Sequence, residues 1–545
     1  MTRVRGSMTN TESSPANGGV IRLHEITKAF PGVIANNKVS LELHNAQVHC
    51  LLGENGAGKS TLISILAGLQ LPDSGTISVD GTPVFIGSPR MAKRLGIGVV
   101  HQHSTLVPGL TVLENLMLGE PGFRKREKLA IQRLEELSDL LGARILPKTP
   151  AAELGLGQQQ QVEIAKAMWT GTRLLILDEP TSMLTPSAID ALGESLTRLT
   201  ARGLGVVLIT HKLREAYKMG DCVTVLRGGR NVAHLSVERM ATMDEDSARA
   251  EILRAMFGDE LADMDDLSEA EEISGATVAR REVSRIDFSS APVKLRLDSV
   301  TTGARSMDAS ITDISLEIRA GEILGIAGID GHGQTGLAEV VAGQQNAFRG
   351  VIELNGADIT RLGVRGRQAA GVRYVTDDRL HEGTVANLPV SINLMLKRIG
   401  EAPFWRAGQI DKKAVNKEAE RLIEEYTIRT PSPATRVGTL SGGNIQKVLL
   451  ARELGEGSQV VVVNKPTAGL DLKTVRMVHD VLRDFAAGGG SVLLISTEMD
   501  ELIQLSHRIA VISRGSIVGM VPNDGPDTAE RVGAFMIGGA EDGAA

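Results

Sequence analysis

A glycine-rich stretch followed by Lys-Ser-Thr has the residue types and spacing to bind phosphate. It lies between the apolar run 48–52 and the helix-prone run 62–67. Its glycines let backbone N–H groups turn toward phosphate oxygens, and the positive end of the following helix adds to the attraction. An ordinary strand-to-helix turn, the alternative, would not require Lys-Ser at its end. We predict a phosphate-binding loop formed by Gly53, Glu54, Asn55, Gly56, Ala57, Gly58, Lys59, Ser60 and Thr61.

Within this loop the last residues have distinct chemistry. Lys59 can reach the β- and γ-phosphates of a nucleotide, and the Ser60 hydroxyl can ligate Mg²⁺. Further along, Asp178 and Glu179 end a buried apolar run. Asp178 can hold Mg²⁺ through its water shell, whereas Glu179 points to the other side and can polarise an attacking water.

Two more polar residues follow predicted strands in the same half of the chain. Gln102 comes after a short apolar run, and His211 after another, where it is placed to sense the γ-phosphate. Taken singly, each has a structural alternative as a capped loop residue, and Asp178-Glu179-Pro180 as a helix start. Their order and spacing behind a phosphate loop favour the chemical interpretation.

The elements that would position these residues occur twice along the chain. Residues 41–43 before the first loop are echoed by 316–318, and the loop itself by 328–335, again after an apolar run. Strands and helices alternate in both halves, and charged helical stretches at 125–141 and 411–426 interrupt them. The pattern predicts an α/β sheet in each half with an inserted helical subdomain.

Composition and length indicate a globular protein with more than one domain. The 545 residues suffice for about two to four domains. A net charge of −7 gives no basic field for nucleic acid. Cys50 and Cys222 provide neither a disulfide framework nor metal-ligand spacing, which suits a reducing cytosol. Apolar runs all fall short of the roughly 20 residues of a membrane helix, so other chains would have to span a membrane.

Polar segments divide the chain into its predicted domains. Residues 1–19 lack the apolar core of a signal peptide and are expected to form a disordered tail. Residues 259–291 are densely acidic without an apolar face, which predicts a solvated linker. We therefore expect domains at 20–258 and 292–538, followed by a short tail at 539–545.

Taken together, these motifs resemble an ATP-binding-cassette (ABC) ATPase with two fused cassettes, over about residues 20–535. Residues 440–447, Leu-Ser-Gly-Gly-Asn-Ile-Gln-Lys, resemble that family's signature. The resemblance implies two tandem P-loop nucleotide-binding domains, each with an α/β core, an antiparallel β subdomain and an inserted helical subdomain. It also implies that ATP and Mg²⁺ are the cofactors. The cassettes would pair head to tail, with each ATP between one loop and the opposite signature.

The same resemblance implies roles for individual residues. ATP would be contacted across the interface by Ser441, Gly442 and Gly443. The Mg²⁺ ligands would be Ser60, Gln102 and Asp178. The catalytic residues would be Glu179, His211 and Gln102. Phe30 would stack on adenine, and the alternative for Phe30 is a core position on an edge strand.

The second half departs from the family pattern where the chemistry would lie. The replacements at the positions of Lys59, Asp178, Glu179, His211 and Gln102 are Gln334, Asn464, Lys465, Thr497 and Asp377. The first half departs only at the signature, where Gly155 replaces Ser, and at Thr185, where the second half has Asp471.

In a head-to-tail pair these departures all fall in one composite site. The other site joins the first-half loop to the second-half signature, and there every residue of the family pattern is present. Independent decay of two domains would not be confined in this way. We predict one working ATP site and one that has lost the electrostatic stabilisation on which phosphoryl transfer depends.

Fused cassettes without a membrane span resemble the energy subunits of bacterial importers for monosaccharides and nucleosides. By this resemblance, Gln102 and the loop at 103–118 would face integral membrane permease subunits, and an extracytoplasmic solute-binding protein would act indirectly. The chain would be peripheral at the cytoplasmic face of the inner membrane. Residues 101–103, His-Gln-His, and the second loop favour nucleosides, with monosaccharides as the alternative.

A soluble tandem-cassette ATPase acting on ribosomes or DNA is the alternative from another class. Such proteins usually keep both sites intact and carry a basic or long charged arm between the cassettes. Here one site is degenerate, the linker is short and acidic, and we expect no nucleic-acid partner. The chemistry of the motifs also leaves an exporter ATPase open.

Overall fold

The computed structural model describes most of the chain in eight ranges. These are residues 20–30, 33–102, 104–118, 127–182, 184–257, 288–303, 310–406 and 408–538. The predicted tails at 1–19 and 539–545 lie outside the described residues, as do His103, Gly258 and residues 259–287 of the acidic segment.

Two sheets form the framework of the first half. Its strands are β1 (Val20–Phe30), β2 (Val33–His44), β3 (Val48–Leu52), β4 (Ser74–Val79), β5 (Thr82–Val84), β6 (Ile97–Val100), β7 (Leu174–Asp178), β8 (Gly205–Ile209), β9 (Cys222–Arg227) and β10 (Arg230–Leu235). One sheet has the order β10-β9-β3-β8-β7-β6, and the other, which is antiparallel, has the order β2-β1-β4-β5. In the larger sheet β3 and β8 are buried along their whole length, as expected of parallel strands covered on both faces.

Helices connect these strands and cover the larger sheet. Those described in the first half are α1 (Lys59–Leu66), α2 (Pro89–Arg94), α3 (Val112–Met117), α4 (Glu127–Leu141), α5 (Leu156–Met168), α6 (Pro186–Ala201), α7 (Leu213–Met219), α8 (Val237–Thr242) and α9 (Glu245–Phe257). Helices α3 to α5 lie between β6 and β7, where we predicted an insertion. Helix α4 buries Ala130, Leu134, Leu137 and Leu141, whose spacing places them on one face.

The second half repeats this plan. Its strands are β11 (Val293–Thr302), β12 (Ile314–Arg319), β13 (Ile323–Ala327), β14 (Ala347–Leu354), β15 (Ala357–Asp358), β16 (Val372–Val375), β17 (Trp405–Arg406), β18 (Gln409–Ile410), β19 (Val460–Asn464), β20 (Ser491–Ile495), β21 (Arg508–Ser513) and β22 (Ser516–Pro522). The sheets have the orders β12-β11-β14-β15 and β16-β19-β20-β13-β21-β22, with a small β17-β18 hairpin. The predicted α/β fold with antiparallel β subdomains is confirmed in both halves.

Helices of the second half occupy corresponding places. Those described are α10 (Gln334–Ala342), α11 (Val364–Ala370), α12 (Val390–Met395), α13 (Lys412–Glu425), α14 (Gly442–Glu453), α15 (Leu472–Ala487), α16 (Met499–Leu505) and α17 (Thr528–Gly538). Helix α13 lies within the charged stretch predicted at 411–426. Its N-terminus is capped by the Asp411 carboxylate, which accepts from the Lys413 and Ala414 N–H groups.

Residues 288–291, at the end of the predicted linker, pack on the second half. The Phe288 ring meets the His507 ring edge-on, with 4.7 Å between centroids. Arg319 donates to the carbonyl oxygens of Ser289 and Ala291, at 3.3 and 2.9 Å. The described end of this segment is therefore part of the folded second half.

The two halves contact each other directly. At the start of α6, the N–H and hydroxyl groups of Ser187 donate to the two carboxylate oxygens of Glu530, each at 3.0 Å. Arg514 donates to the Ala152 carbonyl oxygen at 3.2 Å. Leu156 packs against the hydrophobic cores of both halves.

Among the helices in the described ranges, none combines the length and apolar character required to cross a membrane.

Candidate functional site

The first glycine-rich loop joins β3 to α1. Gly56 and Gly58 have φ angles of 85° and 100°, in the left-handed region that favours glycine. A Cβ atom on Gly58 would lie 2.2 Å from the Ala35 carbonyl oxygen, so a side chain would clash with β2. Asn36, fully buried on β2, donates to the Gly58 carbonyl oxygen at 3.0 Å. The loop conformation therefore depends on glycine and on the neighbouring strand.

Lys59 lies at the centre of this loop. Its side chain is buried, and its Nζ donates to the carbonyl oxygens of Gly53 and Glu54, the latter at 3.0 Å. Burial lowers the pKa of Lys59, while the charges of Glu179 and Asp178 oppose this shift. A phosphate would supply the negative charge that the buried ammonium lacks.

Three polar side chains from different strand ends meet at Glu179. Gln102 Nε2, after β6, donates to Glu179 Oε2 at 3.0 Å. His211 Nδ1, after β8, donates to Glu179 Oε1 at 3.2 Å. The backbone of Glu179 has a φ of 46° and donates to Ile209, which positions its carboxylate immediately beyond β7. The structure thus brings together Gln102, Glu179 and His211, three residues that we singled out by their order and spacing behind the phosphate loop. They meet because the carboxyl ends of parallel strands lie at one edge of the sheet.

Electrostatics keep this carboxylate ionised. Burial alone would raise the pKa of Glu179, but the hydrogen bond and charge of His211 and the charges of Lys59 and Lys212 lower it overall. Burial likewise would lower the pKa of His211, but Glu179 raises it overall. The pair therefore favours a charged carboxylate that can accept a proton from water.

The donor set next to Glu179 fits a hard divalent cation. Burial and the neighbouring charge of Glu179 raise the pKa of Asp178, although Lys59 and His101 oppose this. The Asp178 carboxylate therefore lacks a full counter-charge, which a cation would supply. The hydroxyl of Ser60 is exposed at the first turn of α1, and Gln102 offers an amide oxygen. Hydroxyl, carboxylate and amide oxygens are the ligands that Mg²⁺ prefers.

Phe30 ends β1 and is 41% exposed, so the structure does not support its alternative as a core residue. It pairs with Val33 of β2, two residues before the Ala35 carbonyl that touches Gly58. An exposed ring near the glycine-rich loop is available for stacking on a flat aromatic ligand.

The second half reaches the first loop through the segment before α15. Asn55 Nδ2 donates to the Leu470 carbonyl oxygen at 2.8 Å. The neighbouring Asp471 carboxylate caps its own helix by accepting from the N–H and hydroxyl groups of Thr474. The first loop is thus contacted by Leu470 and not by Asp471, which instead caps the helix that follows.

The signature residues lie at the start of α14. Ser441 and Gly442 are exposed, whereas Gly443 is buried against Thr474 and Asp471. The Ser441 hydroxyl accepts from the side chain of Asn444 at 2.9 Å, within its own helix. The structure therefore does not bring Ser441 into the hydrogen-bonded group around Glu179, and it leaves the hydroxyl at the surface.

The second loop is filled by its own side chains. Gln334 replaces the lysine, and its Nε2 donates to the Ile329 carbonyl oxygen at 2.9 Å, much as Lys59 donates to Glu54. The Gln334 carbonyl oxygen also accepts from the His332 backbone N–H at 3.1 Å. A donor group of the kind that binds phosphate in such loops is thereby occupied.

The carboxylate positions of the second half carry different chemistry. Lys465, at the position of Glu179, forms an ion pair of 2.7 Å with Asp330 of the second loop. Its φ of 44° matches that of Glu179, so the backbone turn is retained while the charge is reversed. Asn464 donates to Asp377 at 3.2 Å. This site contains neither the lysine nor the paired carboxylates of the first.

Three residues that support the site were not identified from the sequence. Asn36 supports Gly58, Ser182 donates to the Glu179 carbonyl oxygen at 3.2 Å, and Lys212 adds positive charge near Glu179. Lys212 directly follows His211, and this adjacency could have indicated that Lys212 lies near the site. Asn36 has none, because an asparagine within a strand carries no motif.

Each half of the chain matches a known protein family. Residues 36–182 and 311–468 match the ABC transporter family, one match in each half. The chain belongs to the ABC transporter family. Each half is therefore an ABC cassette, and the predicted ATP binding and ATPase activity are confirmed.

Three relatives are similar to this chain along almost its whole length. A guanosine import ATP-binding protein of Bacillus subtilis is 38% identical, covering 96% of this chain and 98% of the relative. A glucose import ATP-binding protein of Haloferax volcanii is 37% identical, covering 96% of each chain. A nucleoside import ATP-binding protein of Lactococcus lactis is 36% identical, covering 96% of this chain and 99% of the relative.

Proposed function

We propose that this ABC ATPase is the energy-coupling subunit of a nucleoside importer. Its loop sequences and its similarity to guanosine and nucleoside import ATP-binding proteins support this proposal. Residues 20–258 and 292–538 would form the two cassettes. The import names of these relatives are evidence against the alternative of an ATPase acting on ribosomes or DNA.

The observation that carries the proposal is the group around Glu179. Its carboxylate is held by Gln102 and His211 and has a lowered pKa, so it can take a proton from the water that attacks the γ-phosphorus. Lys59 would release the carbonyls of Gly53 and Glu54 and bond the β- and γ-phosphates. His211, whose pKa is raised, would donate to a γ-phosphate oxygen.

Mg²⁺ would be held by Ser60, Asp178 and Gln102. When bound, it neutralises charge that develops on the phosphate oxygens during transfer. Asp178 is suited to this because its carboxylate is partly buried and lacks a full counter-charge. Phe30 would stack on the adenine ring.

We propose that the two cassettes form a head-to-tail pair with one competent site. The hydrogen bond from Asn55 to Leu470 supports this, because it joins the first phosphate loop to the segment beside the second signature. Ser441, Gly442 and Gly443 would then contact the γ-phosphate of ATP bound at Lys59. The other composite site would be inactive, because Gln334 and the Lys465–Asp330 pair occupy its phosphate loop.

The partners would be integral membrane permease subunits, with an extracytoplasmic solute-binding protein acting indirectly. Gln102 and the following loop would meet the permease. That loop is anchored to α5, because the hydroxyl groups of Ser104 and Thr105 donate to the carboxylate of Glu163. The chain would be peripheral at the cytoplasmic face of the membrane.

Uptake by a strain lacking this chain tests the proposed substrate. We expect loss of labelled purine or pyrimidine nucleoside uptake, restored by the wild-type chain but not by Glu179→Gln. Loss of labelled monosaccharide uptake alone would favour the second candidate, which the glucose import relative supports. Normal uptake of both classes would contradict the importer proposal.

A further inference from the structure

A short segment of the second cassette lies against the loop that follows Glu179. The backbone N–H of Met499, at the start of α16, donates to the Ser182 carbonyl oxygen at 3.5 Å. The Ser182 hydroxyl in turn donates to the Glu179 carbonyl oxygen at 3.2 Å. The second cassette is thus two hydrogen bonds away from the general base of the first.

The next residue of this segment makes a stronger contact. Asp500 Oδ2 is 2.7 Å from Lys212 Nζ, and the Lys212 side chain is only 11% exposed. Within its own cassette Lys212 is 3.9 Å from Glu215, a longer ion pair. Because the lysine is enclosed and follows His211 directly, its pairing with Asp500 restrains the backbone that carries His211.

The charges of Lys212 and its surroundings support a persistent ion pair. Burial would lower the pKa of Lys212, but Asp500, Glu215 and Glu498 raise it overall. Burial would raise the pKa of Asp500, but Lys212 lowers it overall. Both groups therefore remain ionised near neutral pH.

The two cassettes carry opposite charges at these corresponding positions. Lys212 precedes α7 and Glu498 precedes α16, the equivalent helix. Two residues further on, Arg214 corresponds to Asp500. Two identical cassettes would bring like charges together here, which disfavours association. In this chain the difference between the halves produces attraction instead.

We propose that Asp500 is a positioning residue for ATP hydrolysis in the first cassette. Its ion pair with Lys212 crosses the cassette interface and holds His211 in its hydrogen bond with Glu179. The inference rests on the proposed one-site function, and it adds that the second cassette contributes an electrostatic support from outside its signature.

The test is ATP hydrolysis by the purified full-length chain, measured as kcat and KM. Asp500→Asn should lower kcat about 10-fold, because misplaced catalytic groups cost rate, with KM for ATP changed less than about 2-fold. Asp500→Glu should recover most of kcat. Lys212→Met should lower kcat similarly, and adding Asp500→Asn to it should cost nothing further.

Asp190→Asn is the matched control, because Asp190 pairs with Lys218 on the exposed surface of the first cassette. It should leave kcat unchanged. Unchanged kcat in Asp500→Asn, or losses that multiply in the double variant, would overturn the inference. If Asp500→Asn lowers the melting temperature, the Asp500→Glu and Lys212→Met arms still decide. Wild-type hydrolysis that Glu179→Gln does not stop would instead contradict the proposed function.

Discussion

At the scale of single residues, the two phosphate loops share their glycines but differ in the side chains that could bind phosphate. Lys59 and Gln334 both bond carbonyl oxygens of their own loops, but only Lys59 carries a charge that a phosphate can neutralise. Glu179 and Lys465 share one unusual backbone turn and have opposite charges. The two sites therefore share a backbone conformation at these positions and differ in the charge of their side chains.

Glu179→Gln should reduce hydrolysis by roughly 10²-fold or more while ATP binding persists. The amide keeps the shape of the side chain and its contacts with Gln102 and His211, but it cannot take a proton from water. Steady-state phosphate release and nucleotide binding measure the two effects. Glu194→Gln, on an exposed face of α6, is the control. Undiminished turnover in Glu179→Gln would reject Glu179 as the base.

Lys59→Ala should nearly abolish hydrolysis, by about 10²-fold or more, because it removes the main positive charge of the complete site. Its counterpart Gln334→Ala should cost far less, since that loop already lacks the charge. Gln334→Lys should not revive the second site, because Asn464 and Lys465 still occupy the carboxylate positions. Phosphate release by the three variants is the measurement, and equal losses in Lys59→Ala and Gln334→Ala would contradict the one-site proposal.

At the scale of elements, the helix N-terminus at Ser441 serves two purposes. The hydroxyl caps α14, which is worth about 1 kcal/mol of stability, and in the proposed pair it faces the γ-phosphate of the first site. The corresponding turn before α5 begins with Gly155, whose backbone has an ordinary φ of −65°. The N-cap of α14 thus carries a hydroxyl that the N-cap of α5 lacks.

Ser441→Ala should lower hydrolysis by roughly 10²–10³-fold, the usual cost of one lost donor to a transferring group. Gly155→Ala should have little effect, because its backbone accepts alanine and its site is already incomplete. Ser441→Asp separates capping from catalysis, since it restores a cap and stability but places negative charge near the phosphate. Activity of Ser441→Asp close to the wild type would argue against the cross-interface role.

At the scale of the whole molecule, the cassettes are joined by unlike contacts at the two sites. The first site is bridged by Asn55 and Leu470, and the second by Arg514, which donates to Ala152 beside the degenerate signature. One junction thus involves the first phosphate loop, whereas the other joins Arg514 of the second cassette to the segment before the degenerate signature.

The full chain should therefore bind about one ATP per molecule. Binding at the second loop would require breaking the Lys465–Asp330 pair and displacing Gln334 from the His332 N–H. Equilibrium dialysis of the Glu179→Gln variant with MgATP measures the stoichiometry without turnover. Lys59→Ala in the same background should reduce it toward zero. Binding of two nucleotides per chain would contradict the prediction that these contacts prevent ATP from binding at the second loop.

Much of this protein followed from the sequence alone. The glycine-rich loop, the strand ends that carry Gln102, Glu179 and His211, and the duplicated α/β plan were predicted because each depends on residues that are neighbours along the chain. The helix predicted at 411–426 is observed as Lys412–Glu425 for the same reason. Local periodicity and turn residues decide such features before any tertiary contact forms.

Only the tertiary structure decided which groups meet across long sequence distances. The pairs Lys465–Asp330 and Lys212–Asp500 join residues from separate elements, and no motif places them together. The exposure of Phe30 likewise depends on how β1 and β2 end beside the loop. Such contacts arise from the packing of whole elements, whose relative positions are set by buried surfaces rather than by any one stretch of sequence.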